Sequence, residues 1–239
     1  MADLRYQRVL LKLSGESLAK DHHGGIEAEA TLKVAGQVKD LVALGVQVAI
    51  VVGGGNILRG GLASRGGMNR LSADHMGMLG TVINAMALED ALETLGVPAR
   101  VQSAIEMPRV VESVVIRRAV AHLAKGRVVI FGGGTGNPFF TTDTTAALRA
   151  CEVQAQALLK ATKVDGVYSA DPKKVPTAVR FPRLTFTEAI EKRLEVMDAA
   201  AFSLCREHRI PIVVFNFGQR GAMTRVVTGD ESVCSVVTE

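Results

Sequence analysis

Short apolar, β-branched runs alternate along the chain with longer segments in which apolar residues recur at helical spacing. The runs predict buried strands over residues 8–13, 46–52, 99–103, 128–131, 158–163, 210–215 and 233–237. The longer segments predict helices over residues 28–44, 72–95, 111–123, 198–207 and 222–227, and two more that begin near Thr144 and Thr187. This alternation predicts an α/β fold, with a mostly parallel sheet covered on both faces. No repeat or clear linker interrupts the pattern, so we expect a single domain over residues 1–239.

The predicted helix at residues 72–95 carries more apolar residues than one buried face requires. The prominent ones are Met76, Met78, Leu79, Val82, Ile83, Met86 and Leu88. Methionines at helical spacing more often belong to a core or a subunit interface than to a cofactor site. We therefore expect one stripe of this helix to pack against a neighbouring subunit in a homo-oligomer.

The composition is that of an ordinary globular protein, with 239 residues, 48% hydrophobic, 22% charged and a net charge of +4. Aromatic residues are only 4% and the basic residues are scattered, which argues against nucleic acid and favours a small anionic ligand. Three widely spaced cysteines indicate reduced thiols and a cytoplasmic location. The polar N-terminus and the lack of a membrane-length apolar run give no indication of export or of a membrane.

Three predicted strands run directly into glycine-containing turns, which are Ser14-Gly15, Gly53-Gly54-Gly55 and Gly132-Gly133-Gly134-Thr135-Gly136. Glycine lets the backbone approach a ligand closely, and a helix N-terminus that follows favours an anion. The third turn leads to a helix that Thr142 or Asp143 is expected to cap. Many such loops bind nothing, but the recurrence favours phosphate sites. Because the carboxyl ends of parallel strands share one edge, we expect these turns and residues 160–163 to gather there.

Several polar residues stand beside these turns and admit two interpretations. The side chain of Lys12 either extends to solvent from an edge strand or points into a cleft. The adjacent glycine turn favours the cleft and a phosphate contact. Arg59 suits bidentate contacts to phosphate. Asp74 is equally consistent with a helix-turn carboxylate and with a ligand group. His22 and His23 indicate a metal site only weakly, because no second cluster completes a ligand set.

Familiar catalytic motifs are missing from the sequence. There is no GxxxxGK[ST], no GxGxxG that opens a helix, no GxSxG elbow, no HExxH and no protein-kinase HRD or DFG set. Several phosphate cradles remain, with basic residues and acids but no obvious nucleophile. Phosphoryl transfer fits this set, because it needs positioning and charge neutralisation rather than covalent chemistry from the protein.

Five sequence blocks resemble the bacterial UMP kinases of the amino acid kinase family. They are Lys12-Leu13-Ser14-Gly15-Glu16, Gly53-Gly54-Gly55-Asn56 with Arg59-Gly60, Met68-Asn69-Arg70 with Asp74-His75-Met76-Gly77, the specific block Gly134–Asp143, and Lys160–Tyr168. They lie in order over nearly the whole chain. The resemblance implies a three-layer αβα sandwich, a homohexamer, and transfer of the ATP γ-phosphoryl group to UMP with Mg2+, as a step of pyrimidine nucleotide biosynthesis.

The resemblance also implies a set of site residues, with the UMP site mainly in the N-terminal part and the ATP site mainly in the C-terminal part. The implied ATP contacts are Lys12, Leu13, Ser14, Gly15, Glu16, Ser17, Gly55 and Arg59, with Thr162, Tyr168 and Asp171 at the ribose and base. The implied UMP contacts are Gly54, Asp74, Thr135, Gly136, Asn137, Pro138, Phe139, Phe140, Thr141 and Thr142.

The catalytic candidates are Lys12, Arg59, Asp143 and Asp198. Lys12 is expected to neutralise charge on the transferred phosphoryl group and Arg59 to orient it. Asp143 and Asp198 are expected to aim the lysines or to hold metal-bound water, with helix capping as the alternative for each. Residues 20–25 show no distinctive match to the segment that the family links to GTP activation. The sequence therefore does not predict GTP activation, whereas UTP inhibition at the UMP site is expected.

Two other functions are compatible with the same motifs. One is a related kinase that phosphorylates a carboxylate or carbamate, but Asp74 and Pro138-Phe139-Phe140 suit a nucleotide better. The other is a nucleotide-binding storage or sensor oligomer without turnover. Intact Lys12, Arg59 and Asp143 argue against that interpretation.

Overall fold

The computed structural model describes residues 3–20, 24–58, 67–194 and 196–239. The strands are β1 Arg8–Leu13, β2 Gln47–Val52, β3 Ala99–Ser103, β4 Glu112–Ser113, β5 Val128–Gly132, β6 Ala157–Thr162, β7 Val167–Tyr168, β8 Arg180–Phe181, β9 Arg183–Thr185, β10 Ile212–Asn216 and β11 Cys234–Thr238. The α-helices are α1 Ala28–Ala43, α2 Arg70–Thr94, α3 Ile116–Ala124, α4 Thr142–Glu152, α5 Phe186–Glu191, α6 Ala199–Glu207 and α7 Ala222–Val227. Short 3-10 turns lie at Gly15–Leu18 and Glu231–Val233.

Nine strands form one sheet in the order β4-β3-β5-β2-β1-β6-β10-β11-β9. Neighbouring strands are parallel except β10 and β11, which pair antiparallel. Strands β7 and β8 form a separate antiparallel pair. The predicted mostly parallel α/β fold is confirmed. Because strands β1 to β6 and β10 run the same way, their carboxyl ends lie along one edge of the sheet.

Side chains of the central strands alternate between two cores. In β1, Leu11 packs with α1, α2 and α7, whereas Leu10 packs on the opposite face with α3, α4 and α6. This alternation follows from the two-residue period of a strand. It makes three layers, as expected, and it directs Lys12 toward the same face as Leu10, the face that α4 covers.

Two predicted elements differ from the structure. The helix predicted at 111–123 spans only Ile116–Ala124, because Glu112–Ser113 pairs with β3 as a short strand. The valines around this strand are β-branched and favour extended backbone. The helix expected near Thr144 begins at Thr142, and its cap is Thr141, whose hydroxyl accepts from the backbone N–H groups of Asp143 and Thr144.

The long helix α2 divides its apolar residues between a buried and an exposed side. Met78, Val82 and Leu88 lie in the core. Four further residues of the helix are 39–48% exposed in the single chain, and these are Met76, Leu79, Ile83 and Met86. Their spacing of three and four residues makes one continuous apolar stripe.

Candidate active site

Two cavities open at the carboxyl edge of the sheet. The first, here called the glycine cavity, has a volume of about 310 Å³. Its lining comprises Lys12, Ser14, Gly15, Glu16, Gly53, Gly54, Gly55, Leu58, Ala73, Asp74, Gly77, Met78, Thr81, Gly134, Thr135, Asn137, Pro138, Phe140, Thr141, Thr142 and Thr145. The three glycine-containing turns therefore meet at one place, as their strand-end positions predicted.

Close backbone contacts explain two of the glycines in this wall. A Cβ atom at Gly15 would lie 2.2 Å from Asn56 Oδ1 and 2.5 Å from the carbonyl oxygen of Gly53. At Gly54 it would lie 2.5 Å from the carbonyl oxygen of Gly77 in α2. Neither position has room for a side chain, so the turns after β1 and β2 can pack against each other and against α2 only as glycine.

A pair of buried asparagines fixes these turns. Asn84 Nδ2 donates to the carbonyl oxygen of Gly53 at 2.7 Å and to Asn56 Oδ1 at 2.6 Å. Asn56 Nδ2 donates in turn to the carbonyl oxygen of Gly25 at 2.6 Å. Sequence analysis missed this network. An asparagine amid the apolar residues of a long helix was the available signal, because a buried amide must find partners.

The turn after β5 has left-handed backbone at Gly133 (φ 76°), Gly134 (φ 61°) and Gly136 (φ 88°). The N–H group of Gly133 donates to Thr81 Oγ1 of α2 at 2.8 Å. Phe139 also has positive φ, at 71°, which is rare for a bulky residue and costs free energy. This turn curves around the cavity and delivers the chain to the N-terminus of α4.

Asp74 holds that curved segment in place. Its Oδ2 accepts the N–H of Phe139 at 2.9 Å, and both carboxylate oxygens accept from Arg70 Nε, at 2.8 and 2.9 Å. The Arg70 guanidinium also lies 5.9 Å from the centre of the Phe139 ring. Asp74 thus lines the cavity and also braces its rim through Arg70 and Phe139.

Two lysines and one aspartate form the charged centre of the site. Lys12 of β1 and Lys160 of β6 occupy paired positions on adjacent parallel strands. Asp143, in the first turn of α4, lies between them: its Oδ1 is 2.8 Å from Lys12 Nζ and its Oδ2 is 2.9 Å from Lys160 Nζ. Lys12 forms an ion pair with Asp143, and Lys160 donates hydrogen bonds to Asp143 and to the carbonyl oxygen of Val196.

The protonation of this centre follows from burial and charge. Burial by itself raises the pKa of Asp143, but the ammonium groups of Lys12 and Lys160 outweigh it and hold that pKa below its ordinary value. For Lys160, burial lowers the pKa and Lys12 adds to that effect, against the opposing attraction of Asp143. Asp143 is therefore a carboxylate at neutral pH, and it keeps two ammonium groups close together in a poorly solvated place.

Asp198 lies next to this centre as the N-cap of α6, as the sequence predicted. Its Oδ1 accepts the N–H of Ala201 at 2.8 Å. The carboxylate also accepts the hydroxyl of Thr144 at 2.9 Å and the hydroxyl of Thr141. In the structure Asp198 therefore caps one helix and ties the first turn of another to it.

The second cavity, here called the Tyr168 cavity, has a volume of about 580 Å³. It is lined by Lys160, Thr162, Val164, Gly166, Val167, Tyr168, Ser169, Ala170, Asp171, Pro172, Lys192, Arg193, Leu194, Val196 and Val214. The Tyr168 hydroxyl donates to Asp165 Oδ1 at 2.6 Å. Since Lys12 lines one cavity and Lys160 the other, Asp143 connects the two.

Some residues proposed from the sequence lie beside the cavities rather than in their lining. Leu13 is fully buried in the core and its carbonyl oxygen accepts the N–H of Gly53. Ser17 belongs to the adjacent 3-10 turn, and Gly136 and Phe139 lie in the turn that surrounds the glycine cavity. Arg59, like His22 and His23, falls outside the described residues.

The described part of the chain contains neither a candidate metal cluster nor a membrane-spanning helix. Outside residues 1–2, 21–23, 59–66 and 195, no three His, Cys, Asp or Glu side chains come together as a possible metal site. Over the same residues, no helix is long and apolar enough to cross a membrane.

Comparison with known proteins identifies relatives over the full length. The family model of the amino acid kinase family matches residues 7–216. A uridylate kinase of Paramagnetospirillum magneticum is 57% identical over 228 residues, which is 95% of each chain. A uridylate kinase of Methylococcus capsulatus is 52% identical over 238 residues, covering both chains completely. The crystal structure of UMP kinase from Bacillus anthracis superposes with a TM-score of 0.93 at 39% identity, covering 98% of this chain and 96% of the other.

Proposed function

The chain belongs to the amino acid kinase family, and we propose that it is a UMP kinase, which transfers the γ-phosphoryl group of ATP to UMP and releases UDP and ADP. Two uridylate kinases more than 50% identical over essentially the whole chain support this activity. The observation in the site that carries the proposal is the Lys12–Asp143–Lys160 group, which connects two cavities at one sheet edge.

We assign the acceptor to the glycine cavity. Its wall offers the backbone of Gly54, the Asp74 carboxylate and the segment 135–142, which ends at the N-terminus of α4. Backbone N–H groups and a helix N-terminus suit the phosphate of UMP. Asp74 lines the cavity, and its carboxylate oxygens have acceptor capacity beyond their hydrogen bonds to the rim. It can therefore accept a hydrogen bond from a ribose hydroxyl. The exposed rings of Phe139 and Phe140 offer apolar surface at the mouth.

We assign the nucleoside part of ATP to the Tyr168 cavity, where Thr162, Tyr168 and Asp171 supply polar groups. Its phosphates would extend past Lys160 toward Lys12, and the turns at Ser14-Gly15-Glu16 and Gly55 line the glycine cavity where the γ-phosphoryl group would arrive. Arg59 keeps its proposed role as an orienting group, although it lies outside the described residues. In this arrangement the acceptor and donor phosphates meet at the charged centre.

The mechanism we propose is a direct in-line displacement. A phosphate oxygen of UMP attacks the γ-phosphorus while the bond to the β,γ-bridging oxygen breaks, and ADP leaves with that electron pair. The attacking oxygen is already anionic, so no side chain has to remove a proton. Lys12 neutralises charge on the equatorial oxygens, Lys160 neutralises charge on the donor phosphates, and Asp143 keeps both ammonium groups aimed. Asp198 stabilises the first turn of α4, on which Asp143 lies.

The metal fits as a companion of ATP rather than as a resident ion. Mg2+ is commonly held by nucleotide phosphates, waters and one or two carboxylates. Asp143 is a carboxylate between the two cavities, and each of its oxygens already contacts one lysine ammonium group. For Asp143 to accept a hydrogen bond from a metal-bound water, one of these contacts would have to open when ATP binds. When bound, the ion would neutralise charge on the phosphates of ATP.

The remaining parts of the proposal concern assembly, regulation and location. The apolar stripe of α2 supports self-association, for which we propose a homohexamer. We propose UTP inhibition by occupation of the UMP site and a place in pyrimidine nucleotide biosynthesis; GTP activation is not predicted. A cytoplasmic location stays a prediction from composition.

The proposed activity is tested by measuring ADP release with ATP and Mg2+ while UMP, CMP, dUMP and small carboxylates are offered in parallel. We expect turnover with UMP well above that with the other acceptors. Turnover with a carboxylate alone would reassign the acceptor. Nucleotide binding without any turnover would instead support a sensor or storage protein.

A further inference from the structure

Arg149, in the last turn of α4, is a charged residue that the proposed mechanism does not use. The residue is only 5% exposed. Burying a guanidinium is unfavourable unless other groups compensate for its lost hydration. The groups around the guanidinium must therefore compensate for its lost hydration.

Three contacts hold the Arg149 guanidinium. Nη1 donates to Glu152 Oε2 at 2.5 Å, and the guanidinium carbon lies 5.4 Å from the centre of the Phe131 ring in β5. Nη2 donates to the carbonyl oxygen of Gly134 at a longer distance of 3.5 Å. Nε is buried and has no hydrogen-bond partner within the part of the chain that the structure describes.

These contacts place the charge directly behind the wall of the glycine cavity. Gly134 lines that cavity, and so does Thr145, which lies one helical turn before Arg149 on the same side of α4. The turn at Gly133-Gly134 is held from two directions. Thr81 of α2 accepts the N–H of Gly133, and Arg149 of α4 donates to the carbonyl oxygen of Gly134.

We infer that Arg149 is a positioning residue for the acceptor phosphate, an inference that rests on the proposed function. Arg149 donates to the Gly134 carbonyl from the α4 side. This hydrogen bond keeps the partly negative oxygen pointing away from an anion bound in the cavity. The charge of Arg149 is partly offset by Glu152, but it is screened little by solvent in this buried place and also favours a phosphate dianion on the other side of the turn. Arg149 does not touch the reacting atoms in this scheme.

The inference is tested with Arg149→Gln and Arg149→Lys, by steady-state kinetics with UMP and ATP varied separately. We expect Arg149→Gln to raise the KM for UMP roughly tenfold, the effect of losing one charge-assisted hydrogen bond, with the KM for ATP within about twofold and a smaller change in kcat. Arg149→Lys keeps the charge but loses the planar fork that spans Glu152 and Gly134. It should raise the KM for UMP by roughly threefold.

Glu152→Gln is the matched control, because it removes the same ion pair without removing the positive charge. Both Gln variants should melt at a lower temperature than the wild type, but Glu152→Gln unmasks the positive charge of Arg149 and should leave the KM for UMP unchanged or lower it. Equal KM changes in the two Gln variants would overturn the inference, since the ion pair would then act only on stability. If Arg149→Gln does not fold, Arg149→Lys decides, and a wild-type KM for UMP in that variant overturns it. Failure of the wild type to phosphorylate UMP would instead refute the proposed function.

Discussion

The two cavities are built in different ways although they share one edge of the sheet. The wall of the glycine cavity includes the glycine backbone of three turns. The buried side chains of Asn84 and Thr81 hydrogen-bond to these turns, and Asn56 hydrogen-bonds to Asn84. The Tyr168 cavity is nearly twice as large, at about 580 Å³ against about 310 Å³. Several of its lining residues, such as Asp171 and Lys192, are exposed side chains on short loops.

This difference indicates where the protein tolerates change. Backbone that packs closely against other backbone leaves no room for an extra atom, so a single added carbon must displace a neighbour. Side chains on exposed loops can adjust, because few contacts hold them. Lys12 and Lys160 offer a direct comparison between the two regions, since they occupy paired positions on adjacent strands but line different cavities.

The largest predicted effect comes from comparing those two lysines. Lys12→Ala should lower kcat by roughly 10²–10³-fold, because Lys12 neutralises charge that develops in the transition state. Lys160→Ala should mainly raise the KM for ATP, by roughly tenfold, because Lys160 lies on the donor side. Steady-state kinetics with both substrates varied measures the difference. Near-normal kcat in Lys12→Ala would contradict its assigned role. If Lys160→Ala lowered kcat and Lys12→Ala raised the KM for ATP, the donor and acceptor assignments of the two cavities would have to be exchanged.

The rigidity of the glycine cavity is tested by Gly54→Ala. The added Cβ would approach the carbonyl oxygen of Gly77 to 2.5 Å and the nitrogen of Thr81 to 3.1 Å. We expect a loss of about 1–3 kcal/mol in the free energy of unfolding and a raised KM for UMP. Gly36→Ala is the control, because a Cβ there meets nothing within 4 Å; since Gly36 lies inside α1, we expect this variant to gain about 0.5–1 kcal/mol. Urea unfolding of both variants measures the effect. A Gly54→Ala variant as stable as the wild type would show that the turn can relax around the added carbon.

A smaller effect is predicted at Asp143, where the two cavities meet. The lysines outweigh burial and lower its pKa in the folded protein, so the unfolded chain binds this proton more readily. The stabilisation is complete above the unfolded pKa and is lost as the pH falls through the lowered folded pKa. As the pH falls below the ordinary aspartate pKa of about 4, the melting temperature of Asp143→Asn should therefore decrease less steeply than that of the wild type. Thermal unfolding across that range measures the slope, and equal slopes would contradict the pKa shift.

The smallest effect is predicted in the Tyr168 cavity. Tyr168→Phe removes the hydroxyl that donates to Asp165 at 2.6 Å but keeps the ring. Because this bond is partly exposed to water, its loss should raise the KM for ATP by no more than about threefold. The KM for UMP should not change. A rise of a hundredfold would show that the Tyr168 cavity is as strictly built as the glycine cavity.

Local sequence was sufficient for features that depend on neighbouring residues. The β-branched runs, the glycine-containing turns and the cap at Asp198 each follow from the chemistry of a few consecutive residues. Prediction failed where a distant partner decides: residues 112–113 are extended because β3 lies beside them. The cap of α4 at Thr141 instead of Thr142 or Asp143 shifts the start of that helix and leaves Asp143 free to reach the lysines.

The sequence by itself determined the α/β class, the places where strands end in glycine-containing turns, and a chemistry of phosphate binding, because these are properties of short segments. Only the tertiary structure decided which segments meet. Lys12 and Lys160 are brought together by the order of strands in the sheet, and Asp143 reaches both because α4 crosses that face. The contacts of Asn84 with Gly53 and of Arg149 with Gly134 arise in the same way. Such contacts join residues far apart in the chain, and no local pattern specifies them.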